Sequence, residues 1–152
     1  MSRPFFISLG LVLLALGLSW AQEAPFVITS DTLTARPEQG EALFEGNVMA
    51  QRADTTLRAQ RMLVRYSPSG GVSYILAEGR VRLVRGALVV VAGRAEFFAE
   101  EEKVVFTQEP RATEADTVIT GSEIIYLLRE GRTLVKDSKV FIKGGGGEAA
   151  YP

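Results

Sequence analysis

EGNVMAQR at 45–52 and EGRVRLVR at 78–85 are nearly the same phrase, written 33 residues apart. Glu45, Gly46, Val48 and Arg52 match Glu78, Gly79, Val81 and Arg85. Side chains alternate across a β-strand, so in the second copy Ala77, Gly79, Val81 and Leu83 share one face, with Glu78, Arg80 and Arg82 on the other. ALFEGNVMA at 42–50 alternates likewise, with Ala42, Phe44, Gly46, Val48 and Ala50 against Leu43, Glu45, Asn47 and Met49. This period of two, with almost no helical period, predicts an all-β chain.

Strands are expected at 26–35, 41–51, 55–66, 72–84, 87–98, 103–108, 117–128 and 132–142. RPEQG at 36–40, SPSGG at 67–71, RG at 85–86, EEEK at 100–103, QEP at 108–110 and REG at 129–131 supply the turns between them. The repeat reaches beyond the opening pair. AQRMLVRY at 59–66 aligns with AGRAEFFA at 92–99, TGSEIIYL at 120–127 resembles a further copy, and ITSDTLTA at 28–35 resembles the same element near the start. A period of roughly 30 residues in a β chain marks a stacked unit that cannot bury its apolar face alone. Each unit reads as strand, turn and returning strand. Stacked antiparallel copies would make two facing sheets, open at the ends, with apolar rows turned inward as a trough.

Composition narrows the function classes. There is no histidine and no cysteine, which removes Ser-His-Asp and Cys-His nucleophile systems, disulfides and nearly all zinc sites. Paired carboxylates could still hydrolyse glycosides. However, the acidic residues fall at alternating exposed positions or in turns, as in AEEEK at 99–103, so a solvated face is the better account. The expectation is a protein that is not an enzyme. Both charge signs are interspersed, with 17 basic against 18 acidic residues, and no basic face suits nucleic acid.

The first residues read as a secretory signal peptide. Arg3 precedes an apolar run from Phe5 to Trp20, and Ser19 and Ala21 in SWA are the small residues of a cleavage site after Ala21. The run is shorter than the roughly 20 residues that span a bilayer, although an uncleaved anchor is the rival reading. The expected organisation is therefore a signal peptide at 1–21, one β domain at 22–143, and a flexible Gly-rich tail at 144–152. Export follows from the signal peptide.

ITSDTL, FEGNV, LRAQRMLVRY, AEGRV, AGRAEFF, KVVF…EP and ITGSEIIY occur in that order between Ile28 and Ile142. The ordered series resembles the lipopolysaccharide-transport periplasmic family called LptA or OstA-like. The resemblance implies an open, twisted β-jellyroll with an apolar interior that carries glycolipid acyl chains and uses no cofactor. It also implies head-to-tail self-association through edge strands, and a bridge between an inner-membrane anchored jellyroll partner and an outer-membrane translocon. The anchored inner-membrane partner is an alternative identity, and a scaffold module of the envelope that carries nothing is an alternative function.

The alternation assigns Phe44, Val48, Val81, Leu83, Leu88 and Val90 to the inward row, and Phe97, Ile124, Tyr126 and Leu128 join it unless a bulge flips their phase. As a lipid groove this row would gain about 0.8 kcal/mol per buried methylene; the alternative is a core filled by its own side chains. Small residues on the same rows, such as Ala50 and Ala77, favour space. LVVVA at 88–92 reads as a strand covered on both faces or facing a partner. Arg80, Arg82 and Arg85 could attract a lipid phosphate, but read better as a solvated outer face paired with nearby glutamates. Gly46 and Gly79 mark either a close backbone approach or, as preferred here, a bend between sheets.

Overall fold

The computed structural model describes residues 24–143; the expected signal peptide and Gly-rich tail lie outside the described residues. Twelve strands follow in order, β1 (Val27–Thr29), β2 (Thr32–Arg36), β3 (Glu41–Arg52), β4 (Thr55–Tyr66), β5 (Val72–Arg85), β6 (Leu88–Phe98), β7 (Lys103–Thr107), β8 (Arg111–Glu114), β9 (Thr117–Thr120), β10 (Glu123–Leu127), β11 (Arg132–Lys136) and β12 (Lys139–Ile142). A single turn of 3-10 helix, Pro37–Gln39, joins β2 to β3. No helix among the described residues is long and apolar enough to cross a membrane.

All pairings are antiparallel, and the sheet is folded along one line of corners into two facing layers. The first layer runs β2, the first half of β3, the second half of β4, the first half of β5, the second half of β6, β7, β10 and β11. The second layer runs β1, the second half of β3, the first half of β4, the second half of β5, the first half of β6, β8, β9 and β12. Each of the long strands β3 to β6 therefore serves both layers, and the short strands do so as bent pairs, such as β1 with β2. The chain thus forms eight bent ribs. The expected long strands at 26–35, 117–128 and 132–142 are each broken at a corner. The expectation missed β8 altogether.

The repeated EG-x-V phrase is the corner itself. The register of β3 against β4 shifts between Glu45 and Val48, and that of β5 against β6 between Glu78 and Val81. Gly46 and Gly79 take φ of 80° and 81°, and the following Asn47 and Arg80 take 46° and 48°. Two successive left-handed residues turn the strand through the fold line, a conformation that favours glycine at the first position. The alternatives of bend and close approach both hold. A Cβ on Gly46 would run into the Asp31 side chain, and one on Gly79 into that of Gln60. Backbone bonds also tie corners together, from Asp31 N–H to Gly46 O at 2.8 Å and from Gly93 N–H to Gln108 O at 2.9 Å.

Inward side chains from both layers form one cluster. In β3 and β5 the inward phase survives the corner: Ala42, Phe44, Val48 and Ala50 in one, Ile75, Ala77, Val81 and Leu83 in the other. In β4 and β6 it flips, from Leu57 and Ala59 to Met62 and Val64, and from Leu88 and Val90 to Ala95 and Phe97. Outward positions carry cross-strand ion pairs, such as Arg65 Nε to Glu41 Oε1 at 3.1 Å and Lys136 Nζ to Glu123 Oε1 at 2.8 Å. The LVVVA segment is central, paired on both sides by β5 and β8. Its Leu88 and Val90 are buried, while Val89 and Val91 are half-buried on the outer face.

Candidate functional site

Among the described residues every hairpin turn joins strands within one layer, so opposite the corner line the two layers face each other across a mouth that no described hairpin crosses. A cavity of about 250 Å³ opens there. Its floor is apolar: Ala50, Leu57 and Leu83 come from the second layer, and Ile75, Phe97, Val104 and Leu128 from the first-layer side. Its rim is charged, with Arg52, Asp54, Arg85, Glu102 and Arg129. Phe26 covers one side, its ring meeting Phe97 edge-on at 5.5 Å between centroids, while the Arg52 guanidinium lies over Phe26 at 5.0 Å.

Arg85 spans the mouth. Its Nη1 donates to the Tyr126 hydroxyl at 3.0 Å and to the Leu128 carbonyl at 2.9 Å, and its Nε donates to Asp54 Oδ2 at 3.2 Å. Burial works against the Arg85 charge, but the Asp54 and Tyr126 contacts outweigh it and hold its pKa above the ordinary value. The Arg85 hydrogen bond in turn holds the Asp54 carboxyl below its ordinary value. Arg85 thus departs from the expectation of a solvated comb. Arg80 and Arg82 are exposed and make no ion pair among the described residues, so the expected glutamate partners are absent. The signal for Arg85 lay in the alternation, since it continues the inward phase of Val81 and Leu83. Arg52 stands at the same repeat position, continuing Val48 and Ala50.

The ten residues assigned to the apolar row are found inside. Phe44, Val48, Val81, Leu83, Leu88, Val90, Phe97, Ile124 and Tyr126 are buried, and Leu128 is half-buried against the core. They do not form one continuous groove. Leu83, Phe97 and Leu128 line the 250 Å³ cavity. Leu88 lines an open groove of about 690 Å³ toward the C-terminal end, between Ala112 and Ile119 of one layer and Gly131 to Thr133 of the other. Phe44 borders a third space near Leu33 and Pro37. The middle, at Val48, Val81, Val90 and Ile124, is packed by the protein's own side chains, with Met62 and Phe106 fully buried among them. Of the small residues expected to leave space, Ala50 lines the cavity, whereas Ala77 is fully buried and Gly79 makes a corner. Among the described residues no group of acidic side chains is placed to hold a metal ion.

Both ends of the fold keep free strand edges. Among the described residues β1 and β2 pair only with β3, β11 only with β10, and β12 only with β9. Leu33 on β2 is 57% exposed and Ile142 on β12 is 73% exposed, with Val140 and Phe141 also exposed.

Two folded antiparallel layers with an apolar interior and open ends make this an open β-jellyroll. Residues 27–132 match the family described as LptA/(LptD N-terminal domain) LPS transport protein, and the chain belongs to that family. Among similar solved structures is the crystal structure of LptH, the LptA homologous periplasmic component of the conserved lipopolysaccharide transport device from Pseudomonas aeruginosa. It shares this fold with a TM-score of 0.69 at 14% identity, covering 85% of this chain and 90% of that one. No curated protein matches in sequence.

Proposed function

We propose that this protein is a periplasmic carrier in which acyl chains of lipopolysaccharide, or of a related glycolipid, lie between the two layers and pass toward the outer membrane. The observation that carries the reading is the apolar-floored cavity at a mouth where, among the described residues, side chains link the two layers. At about 250 Å³ it falls just below the roughly 300–1,000 Å³ of ligand pockets. It suits part of one acyl chain, and a multi-chain lipid requires the layers to part. The free apolar edges at both ends support head-to-tail association, since unpaired strand edges pair readily with another chain. Jellyroll partners in the inner-membrane anchor and the outer-membrane translocon would use the same edges.

The packed middle favours a second reading, a scaffold that polymerises and carries nothing. Photo-crosslinking residues placed at Leu83, Phe97 or Leu128 of the exported protein divide the two. With envelope lipid extract, adducts at these positions and none at Arg80 or Arg82 are the expected result. Protein–protein crosslinks at the edges with no lipid adduct at any inward position would leave the scaffold.

A further inference from the structure

We propose that the mouth of the cavity reads an anionic head group, with Arg85 and Arg52 as the residues that recognise the phosphate of an amphiphile. This rests on the carrier reading and adds which ligand chemistry the site selects.

The 33-residue repeat delivers an inward arginine twice, at the last position of β3 and of β5, and both line the same cavity. The rim carries three guanidinium groups against two carboxylates, while the floor is apolar. That arrangement matches an amphiphile with its tail inside and a negative head at the edge. Arg85 is already oriented for the task. Tyr126 and Leu128 fix its Nη1, and Asp54 takes only its Nε; its Nη2 makes no hydrogen bond among the described residues. Asp54 is the exchangeable partner, because its side chain is 65% exposed. A phosphate in its place could accept from Nε and Nη2 together, the two-pronged geometry that makes arginine a strong phosphate ligand.

The test compares two amphiphiles of equal tail length, dodecyl phosphate and dodecyl maltoside, below their micelle concentrations. They are titrated calorimetrically into the protein expressed from the full chain. The phosphate is expected to bind about tenfold tighter, as one charge-assisted interaction supplies, with the ratio shrinking as salt rises. Arg85→Gln and Arg52→Gln should each bring the ratio toward one, and Arg85→Lys should keep part of it. Equal affinities for the two amphiphiles, or a ratio that survives both Gln variants, would overturn the head-group site while leaving the carrier reading intact. Binding of neither amphiphile would remove the carrier reading and this inference with it. Inorganic phosphate binding as tightly as dodecyl phosphate would make the rim a free-anion site and overturn the amphiphile assignment. Arg52→Gln keeps the proposal testable if Arg85→Gln fails to fold, because Arg52 does not bridge the layers through Tyr126.

Discussion

Arg85 in the second layer and Tyr126 in the first meet across the mouth, Nη1 to hydroxyl at 3.0 Å. Together with the neighbouring Leu128 carbonyl, it links the two layers through polar groups on that side. Arg85→Ala leaves a buried hydroxyl without its donor and is expected to destabilise the fold by about 1–3 kcal/mol. Tyr126→Phe keeps the ring and should cost less, about 0.5–1.5 kcal/mol. Because the two act on one bond, urea denaturation of the double variant should give less than the sum.

The corner predicts a separable cost at Gly79. Gly79→Ala forces a methyl at φ of 81° and into the Gln60 side chain, together about 2 kcal/mol or more. Gln60→Ala should recover only part of the steric cost, because its retained Cβ still lies 2.9 Å from the new methyl, and none of the backbone part. Melting curves of the two single variants and the double would check it; full recovery, or none, would refute this division.

Ala50 lines the cavity and is buried. Ala50→Leu should occupy part of the 250 Å³ and weaken dodecyl maltoside binding several-fold, while the melting temperature stays level or rises. Unchanged binding in a folded variant would mean that the tail does not lie in this cavity.

The free edges predict the behaviour of charge there. Leu33→Lys on β2 or Phe141→Lys on β12 should abolish concentration-dependent growth of mass in light scattering, since a charge on an edge strand blocks further pairing. Mixing the two variants should not restore long assemblies. Growth undiminished by either variant would place self-association elsewhere.

Tyr74 sets a pH dependence on the outer face. Burial, and then its 2.6 Å hydrogen bond to Glu96, push its pKa from 10.0 up to about 12. Between these values the unfolded chain has lost the phenolic proton while the folded one retains it. Stability is therefore fully present below pH 10 and falls as pH rises through about 12. Tyr74→Phe should flatten this slope in urea midpoints taken from about pH 9 to 11; parallel slopes in the two proteins would contradict it.

Much of this fold is legible in the alternation. Val81 and Leu83 are inward because the strand period permits nothing else, and the EG-x-V repeat announces a bend once per unit. β8 escaped because RATE, 111–114, offers one small inward residue, Ala112, in four positions after a proline. Corners at Ser30–Asp31 and Asp137–Ser138 carry no glycine, so their strands read as straight. The phase flips in β4 and β6 depend on how many residues each corner consumes, a quantity set by pairing with neighbours. Arg85 was legible in phase, yet stood beside two outward arginines. Whether the interior is filled depends on side-chain volumes meeting across the layers, and alternation along one strand carries no such information.

The eight bent ribs have a mechanical consequence. Among the described residues, covalent backbone joins the layers at every corner and no hairpin joins them along the mouth, so the fold is a clamshell, stiffer along its spine than at its lips. Its capacity reduces to a single angle at the spine. The strand ladders couple that angle from rib to rib, so a wedge inserted at one point pries open its neighbours as well. A second copy joined edge to edge would inherit the same angle, and cargo would then be accommodated by the whole row of shells together.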